Sequence, residues 1–164
     1  WKLRPDIYIT AAHCVIDEKG VMRRTVPVGD VIGTLVKLNG KLDLAAILVP
    51  DVGGPFLVVS AISVRVGHAV SALGYGGGTV EPYYTFGYIS RVVMDFPTGH
   101  DTYIRGMIIY GGFIPGMSGG PILNERGEVV SVVQAAGPPF GIFRNIAIGV
   151  PQQVLQEFVR DFFP

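Results

Sequence analysis

The hexapeptide Gly116-Met117-Ser118-Gly119-Gly120-Pro121 surrounds one hydroxyl with residues that permit tight backbone turns. A serine hydroxyl is a weak nucleophile unless it is exposed, oriented and relieved of its proton by a base. Flanking glycines let backbone N–H groups converge beside it, and two such donors are what a tetrahedral oxyanion needs. Two other residues have types that complete this chemistry. His13 follows a β-like run within Thr10-Ala11-Ala12-His13-Cys14, and imidazole is the commonest general base. Asp43 lies inside the apolar run 42–49, where a carboxylate without a partner is costly. Taken singly, each has a plainer reading: an incidental serine in a glycine turn, a structural histidine, an aspartate held by a structural hydrogen bond. No metal site is expected. Cys14 is the one cysteine, and His13, His68 and His100 show no ligand spacing.

The elements that must position these residues read as short strands. Ile7 to Thr10 is one, and Asp17-Glu18-Lys19-Gly20 is a turn. Asn39-Gly40 predicts a two-residue type I′ hairpin turn joining strands at 34–38 and 42–49. Further strands are expected at 56–60, 69–73, 84–93, 102–109, 121–123, 128–134 and 143–149. Pro121 should open a strand, where its missing N–H does no damage, and Asn124-Glu125-Arg126-Gly127 should be a hairpin loop. Behind Pro151, Val154, Leu155, Phe158, Val159 and Phe162 recur at helical spacing and predict a C-terminal amphipathic helix packed on the domain. Val52-Gly53-Gly54-Pro55 is expected to join two halves of one domain. Gly74-Tyr75-Gly76-Gly77-Gly78-Thr79 lacks the lysine of a phosphate loop and reads as a surface loop. Tyr83, Tyr84, Phe86 and Tyr88 read as core and cross-strand packing, and His68 and His100 as solvated loop histidines.

Composition agrees with this reading. The 164 residues are 49% hydrophobic and only 16% charged, which excludes a disordered chain. Thirteen basic and thirteen acidic side chains cancel, leaving no electrostatic footprint for nucleic acid or an anionic membrane. The 23 glycines and 12 prolines between valine-rich runs lean toward an all-β fold. No stretch reaches the ~18 apolar residues of a membrane-spanning helix. The chain opens at Trp1 without initiator methionine or signal segment, so a piece of a longer protein is expected.

The three motifs occur in the order His, Asp, Ser, that of one lineage of convergent catalytic triads. Here the chain resembles the trypsin-like serine peptidases of the chymotrypsin fold. Thr10-Ala11-Ala12-His13-Cys14 is similar to the family's histidine motif, Asp43-Leu44-Ala45-Ala46-Ile47-Leu48 to its aspartate motif, and Gly116 to Pro121 to its serine motif. The separations of 30 and 75 residues resemble the compact bacterial HtrA-type branch. So do the stretches Gly67 to Tyr75, Thr85 to Ser90 and Asn145 to Pro151. The resemblance implies an all-β fold of two six-stranded antiparallel β-barrels, the first lacking its opening strands, with a C-terminal α-helix. It puts the first barrel at about 1–52, the second at 56–150 and the helix at 151–162, all within one peptidase domain. It implies a serine endopeptidase using catalytic His13, Asp43 and Ser118, with the N–H groups of Gly116 and Ser118 as the oxyanion hole and no cofactor. By the same alignment the substrate pocket has its base at Gly112, Phe113 and Ile114, and its wall at Val132, Val133, Gln134 and Ala135. None of these is charged, so apolar P1 residues are expected. The substrate is a polypeptide and the location extracytoplasmic. HtrA-type relatives often form trimers and often carry a PDZ domain, so the resemblance admits a homo-oligomer and a PDZ domain in a longer parent chain. The other reading is a catalytically silent trypsin-like domain acting as a binding or scaffold module.

Three departures stand out. Met117 replaces the aspartate of trypsins and the usual asparagine of HtrA-type enzymes, so pairing with a newly cleaved N-terminus is not expected. Only twelve residues precede His13, which predicts an open first barrel. Cys14 lacks its family partner; either that partner falls before Trp1 or the thiol is free and buried.

Overall fold

The computed structural model describes residues 1–17, 19–50, 53–97, 103–136 and 145–163. His100, Glu18, Val52 and the ends of the expected strands at 102 and 143–144 lie outside these. Strands β1 (Lys2–Arg4), β2 (Ile7–Thr10), β3 (Thr25–Val28), β4 (Val31–Asn39) and β5 (Leu44–Leu48) form an antiparallel sheet in the order β1-β2-β5-β4-β3. Strands β6 (Ala69–Gly74), β7 (Tyr83–Pro97), β8 (Tyr103–Gly111), β9 (Pro121–Leu123), β10 (Val129–Ala136) and β11 (Ile146–Gly149) close into a barrel, ordered β10-β11-β8-β7-β6-β9. Helix α1 (Gln152–Val159) follows, ending in a 3-10 turn over Arg160–Phe162.

The central strand β5 shows why the first sheet forms. Its side chains alternate faces. Leu44 and Ala46 enter a core shared with the barrel and helix, whereas Ala45 and Ile47 pack on the opposite face with Val15, Val26 and Val49. A strand buried on both sides must be apolar throughout, and Leu44-Ala45-Ala46-Ile47 is. The shared core also takes Leu3, Ile7 and Ile9 from the sheet, Val129 and Val132 from β10, and Leu155, Phe158 and Val159 from α1. It seats the two halves against each other. Lys37 of β4 adds a polar latch: its ammonium donates to the carbonyl of Phe158 and to Asp161, both at 2.7 Å, at the C-terminal end of α1.

As expected, the first barrel is open: its sheet has five strands and does not close among the described residues, with β1 and β3 as its edges. Other expectations are corrected. β3 was hidden in the sequence by Pro27, tolerable in an edge strand, and β1 by its shortness and basic ends. Asn39-Gly40 is not a two-residue turn. β4 and β5 meet at Asn39 and Leu44, and residues 40–43 form the link, wrapped by the Asn39 side chain accepting the Leu42 N–H at 3.2 Å. The left-handed residue is Asp43 (φ 52), which therefore precedes β5 instead of lying inside it. Residues 56–60 make only one bridge, Val59 to Val129. Their N–H groups serve two different elements, Leu57 bonding the Lys2 carbonyl and Ser60 that of Val129. The buried Gln152 holds the next stretch, bonding Ser60, Ile62 and Val64. The aromatic set is not core: Tyr84, Phe86 and Tyr88 stand outside the barrel, with Tyr84 edge-on to Phe86 at 4.7 Å and Tyr88 across from Tyr110. Cys14 is free, but exposed.

Candidate active site

After β2 the chain turns through a 3-10 element, Ala12–Val15, made possible by the small buried side chains of Ala11 and Ala12. This turn leaves the His13 side chain half exposed. Both oxygens of Asp43 face it. Oδ1 accepts the His13 backbone N–H at 2.9 Å, and Oδ2 lies 2.8 Å from Nδ1. With a carboxylate as acceptor, Nδ1 carries a proton and Nε2 is the nitrogen that gives up its proton on titration and can then act as a base. The left-handed backbone of Asp43, which aspartate tolerates better than most residues, aims both oxygens back at His13.

The hydrogen bond to Asp43 pushes the His13 pKa up to about 10, with Cys14 adding and burial opposing. Because folding raises it, the pair contributes its stability in full below the ~6.5 of an unfolded histidine and loses it as pH climbs through about 10. Proton-accepting capacity at Nε2 rises over the same interval.

The Ser118 loop is built by glycines at two positive-φ positions, Gly116 (φ 96) and Gly119 (φ 81). The Gly119 N–H bonds the Val133 carbonyl at 2.8 Å, and the Val133 N–H bonds Gly120 at 3.0 Å, tying the loop to β10. Neither the Gly116 nor the Ser118 N–H has an intramolecular acceptor among the described residues. The Ser118 hydroxyl donates to the Gln134 carbonyl at 3.2 Å, so at rest it is parked on β10 and not on His13.

Met117 explains a second group of glycines. Its side chain is fully buried in the barrel core. A Cβ at Gly74 would crowd Met117, and one at Gly76 would collide with Ile114. The glycine-rich loop after β6 thus makes room for an apolar support under the Ser118 loop. Met117→Asn should therefore cost about 2–4 kcal/mol, through lost packing and a buried amide without partners. Urea denaturation measures it, and a loss under about 0.5 kcal/mol would contradict this role.

His13, Asp43, Gly116 and Ser118 share one cleft of about 570 Å³, also lined by Lys41, Pro115, Gln134, Ala135, Ala136 and Ile148. Of the residues expected around the substrate, only Gln134 and Ala135 line it. Phe113 and Val133 are buried in the barrel core, Val132 in the shared core, and Ile114 packs against Gly76. Gly112 is exposed outside this lining. The reason is that Val129 to Val133 of β10 are fully buried, and only its end, from Gln134 on, reaches the cleft. Ala136, Pro115 and Ile148 were missed. Ile148 is opposite Ala135 on β11, a register no sequence motif reveals.

A family model described as a trypsin-like peptidase domain matches residues 2–132. The chain is 27% identical over 169 aligned positions to a probable periplasmic serine endoprotease, DegP-like, of Chlamydia pneumoniae, covering 96% of this chain and 33% of that protein. It is 32% identical over 145 positions to the serine protease Rv3671c of Mycobacterium tuberculosis, covering 82% and 34%. The crystal structure of the active form of that protease matches with a TM-score of 0.81 at 26% identity, covering 98% of this chain and 70% of that one. A closed six-stranded barrel, a second antiparallel sheet and a C-terminal helix make this a chymotrypsin-like fold. The chain belongs to the trypsin-like serine peptidase family, in its HtrA-type branch. It spans about a third of the length of the curated relatives it matches.

No helix among the described residues is long and apolar enough to cross a membrane.

Proposed function

We propose that this domain hydrolyses peptide bonds through an acyl-enzyme formed on Ser118. The observation that carries the proposal is the two-point grip of Asp43 on His13 in the same cleft as Ser118. On binding substrate, the Ser118 hydroxyl leaves the Gln134 carbonyl and attacks the scissile carbonyl, while Nε2 of His13 takes its proton. The new bond is Oγ to carbon, and the developing oxyanion is met by the N–H groups of Gly116 and Ser118. Collapse breaks the carbon–nitrogen bond, and His13 returns the proton to the leaving amine. Water then repeats the sequence to free Ser118. Asp43 holds the tautomer and stabilises the imidazolium.

Labelling of Ser118 by a fluorophosphonate, faster at pH 9 than at pH 6, is the expected result. A folded chain that does not label beside an active control protease overturns the proposal. It would leave the alternative of a silent binding domain, which the parked hydroxyl favours. The cleft wall of Pro115, Ala135, Ala136 and Ile148 offers no charge to a P1 side chain and supports small or medium apolar P1 residues. A peptide panel cut after Val, Ala or Leu is expected, and preferred cleavage after Arg or Lys contradicts it. The DegP-like relatives are named as probable periplasmic enzymes, which supports an extracytoplasmic location.

A further inference from the structure

Gln134 lines the cleft yet is only 6% exposed, and its polar groups point three ways. Its Nε2 donates to the carbonyl of Leu42 at 3.1 Å, across from the barrel to the first sheet. Its backbone carbonyl accepts the Ser118 hydroxyl. Its Oε1 is buried with no hydrogen-bond partner among the described residues. The amide orientation is determined by chemistry: a carbonyl at Leu42 can only be met by the NH₂ end, so the orphan is the oxygen. A buried orphan acceptor is unfavourable, and an apolar side chain of similar size would avoid it. Packing alone does not account for glutamine here.

Leu42 immediately precedes Asp43. Its N–H is held by Asn39 and its carbonyl by Gln134, so the peptide leading into the carboxylate is gripped at both ends. Asp43 itself sits at a φ of 52, a conformation with little intrinsic preference, while both its oxygens must meet His13 at once. Releasing one grip frees the link over residues 40–43 to move, and the two-point contact with His13 is the first thing lost.

We infer that Gln134 is a positioning residue that ties the Asp43 turn of the first sheet to the Ser118 loop of the barrel, its side chain holding Leu42 and its backbone carbonyl the Ser118 hydroxyl. This rests on the proposed peptidase reading, and it is a different role from that of lining a substrate pocket. The charged or titratable groups around His13 are Asp43 and Cys14, with Lys41 lining the same cleft. Gln134 bonds none of these side chains directly, so a change at 134 reaches His13 through Leu42 and Asp43.

The test uses Q134L, which removes the donor at similar size, with two readouts. The first is the His13 imidazole titration by NMR, which needs no activity. The second is the kcat and KM of peptide cleavage together with the fluorophosphonate labelling rate. In Q134L the His13 midpoint should fall by about one pH unit toward the ~6.5 of a free histidine, and kcat and labelling should drop about tenfold with KM unchanged. An unchanged midpoint overturns the inference, as does a raised KM with kcat preserved, which would make Gln134 a substrate contact. If the wild-type chain does not label, the peptidase reading fails while the titration still decides the role of Gln134. If Q134L does not fold, Q134M, which keeps the unbranched shape, adds no charge and lacks the donor, is read the same way. Failure of both to fold makes Gln134 a fold determinant and overturns the positioning role.

Discussion

Ser118→Ala should abolish peptide cleavage and fluorophosphonate capture while the chain keeps its fold. Removing the nucleophile of a triad costs about 10⁴–10⁶-fold in kcat, because the remaining groups have no atom to acylate. The fold should barely notice. The hydroxyl makes one intramolecular bond, to the Gln134 carbonyl, and that carbonyl lines an open cleft where water can replace it. A loss of about 1 kcal/mol or less is expected on thermal denaturation. The loop's shape does not depend on the side chain, since it is determined by Gly116, Gly119 and their bonds to β10. Activity within tenfold of wild type in Ser118→Ala would remove Ser118 from the mechanism.

Gly119→Ala should damage both fold and site with a single methyl. Gly119 has a φ of 81, and a Cβ there would strike the Thr10 hydroxyl and come within 2.9 Å of the Ala11 nitrogen. The first penalty is backbone strain of about 1–2 kcal/mol. The second is overpacking of about 1–3 kcal/mol, which cannot be relieved cheaply because Ala11 presents backbone. A loss of about 3 kcal/mol corresponds to a fall in Tm of about 6–12 °C for a domain of this size. Thr10 and Ala11 lead directly into the turn that carries His13, so the same methyl drives the histidine and serine segments apart. Labelling should fall by more than tenfold. Gly127→Ala is the control: its φ is 73 but no atom lies within 4 Å of the added Cβ, so only the strain term remains. Equal losses in the two variants would mean that the contact between the Ser118 loop and Thr10-Ala11 is not tight.

Much of the candidate site was legible without coordinates because its chemistry is written locally. Ser118 is flagged by the glycines its own loop needs, His13 by the small residues that let its turn lie flat, and Asp43 by being a carboxylate beside a doubly buried strand. The strands that carry them followed from short β-like or apolar runs bounded by turn residues, as with Ile7–Thr10, Pro121–Leu123 and Leu44–Leu48. Local signals misled where two parts of the chain compete for one segment. Residues 56–60 look like a strand, yet their hydrogen bonds divide between Lys2 and Val129. Asn39-Gly40 looks like a tight hairpin, but the turn lengthens so that Asp43 can face His13.

What the amino-acid order determined by itself is the set of candidate reacting groups, the family and the elements bearing them, since each depends on neighbours a few residues away. What only the tertiary structure decided is which side chains meet. The His13–Asp43 contact spans 30 residues and the Gln134–Leu42 contact 92. Strand order and register bring such pairs together, and they direct Val132 and Val133 into the cores while leaving Gln134 and Ala135 in the cleft. Met117 lay between the two cases. Its departure from the family was visible in the sequence, but its role as an apolar support beneath the Ser118 loop depends on Gly74 and Gly76, which only folding brings against it.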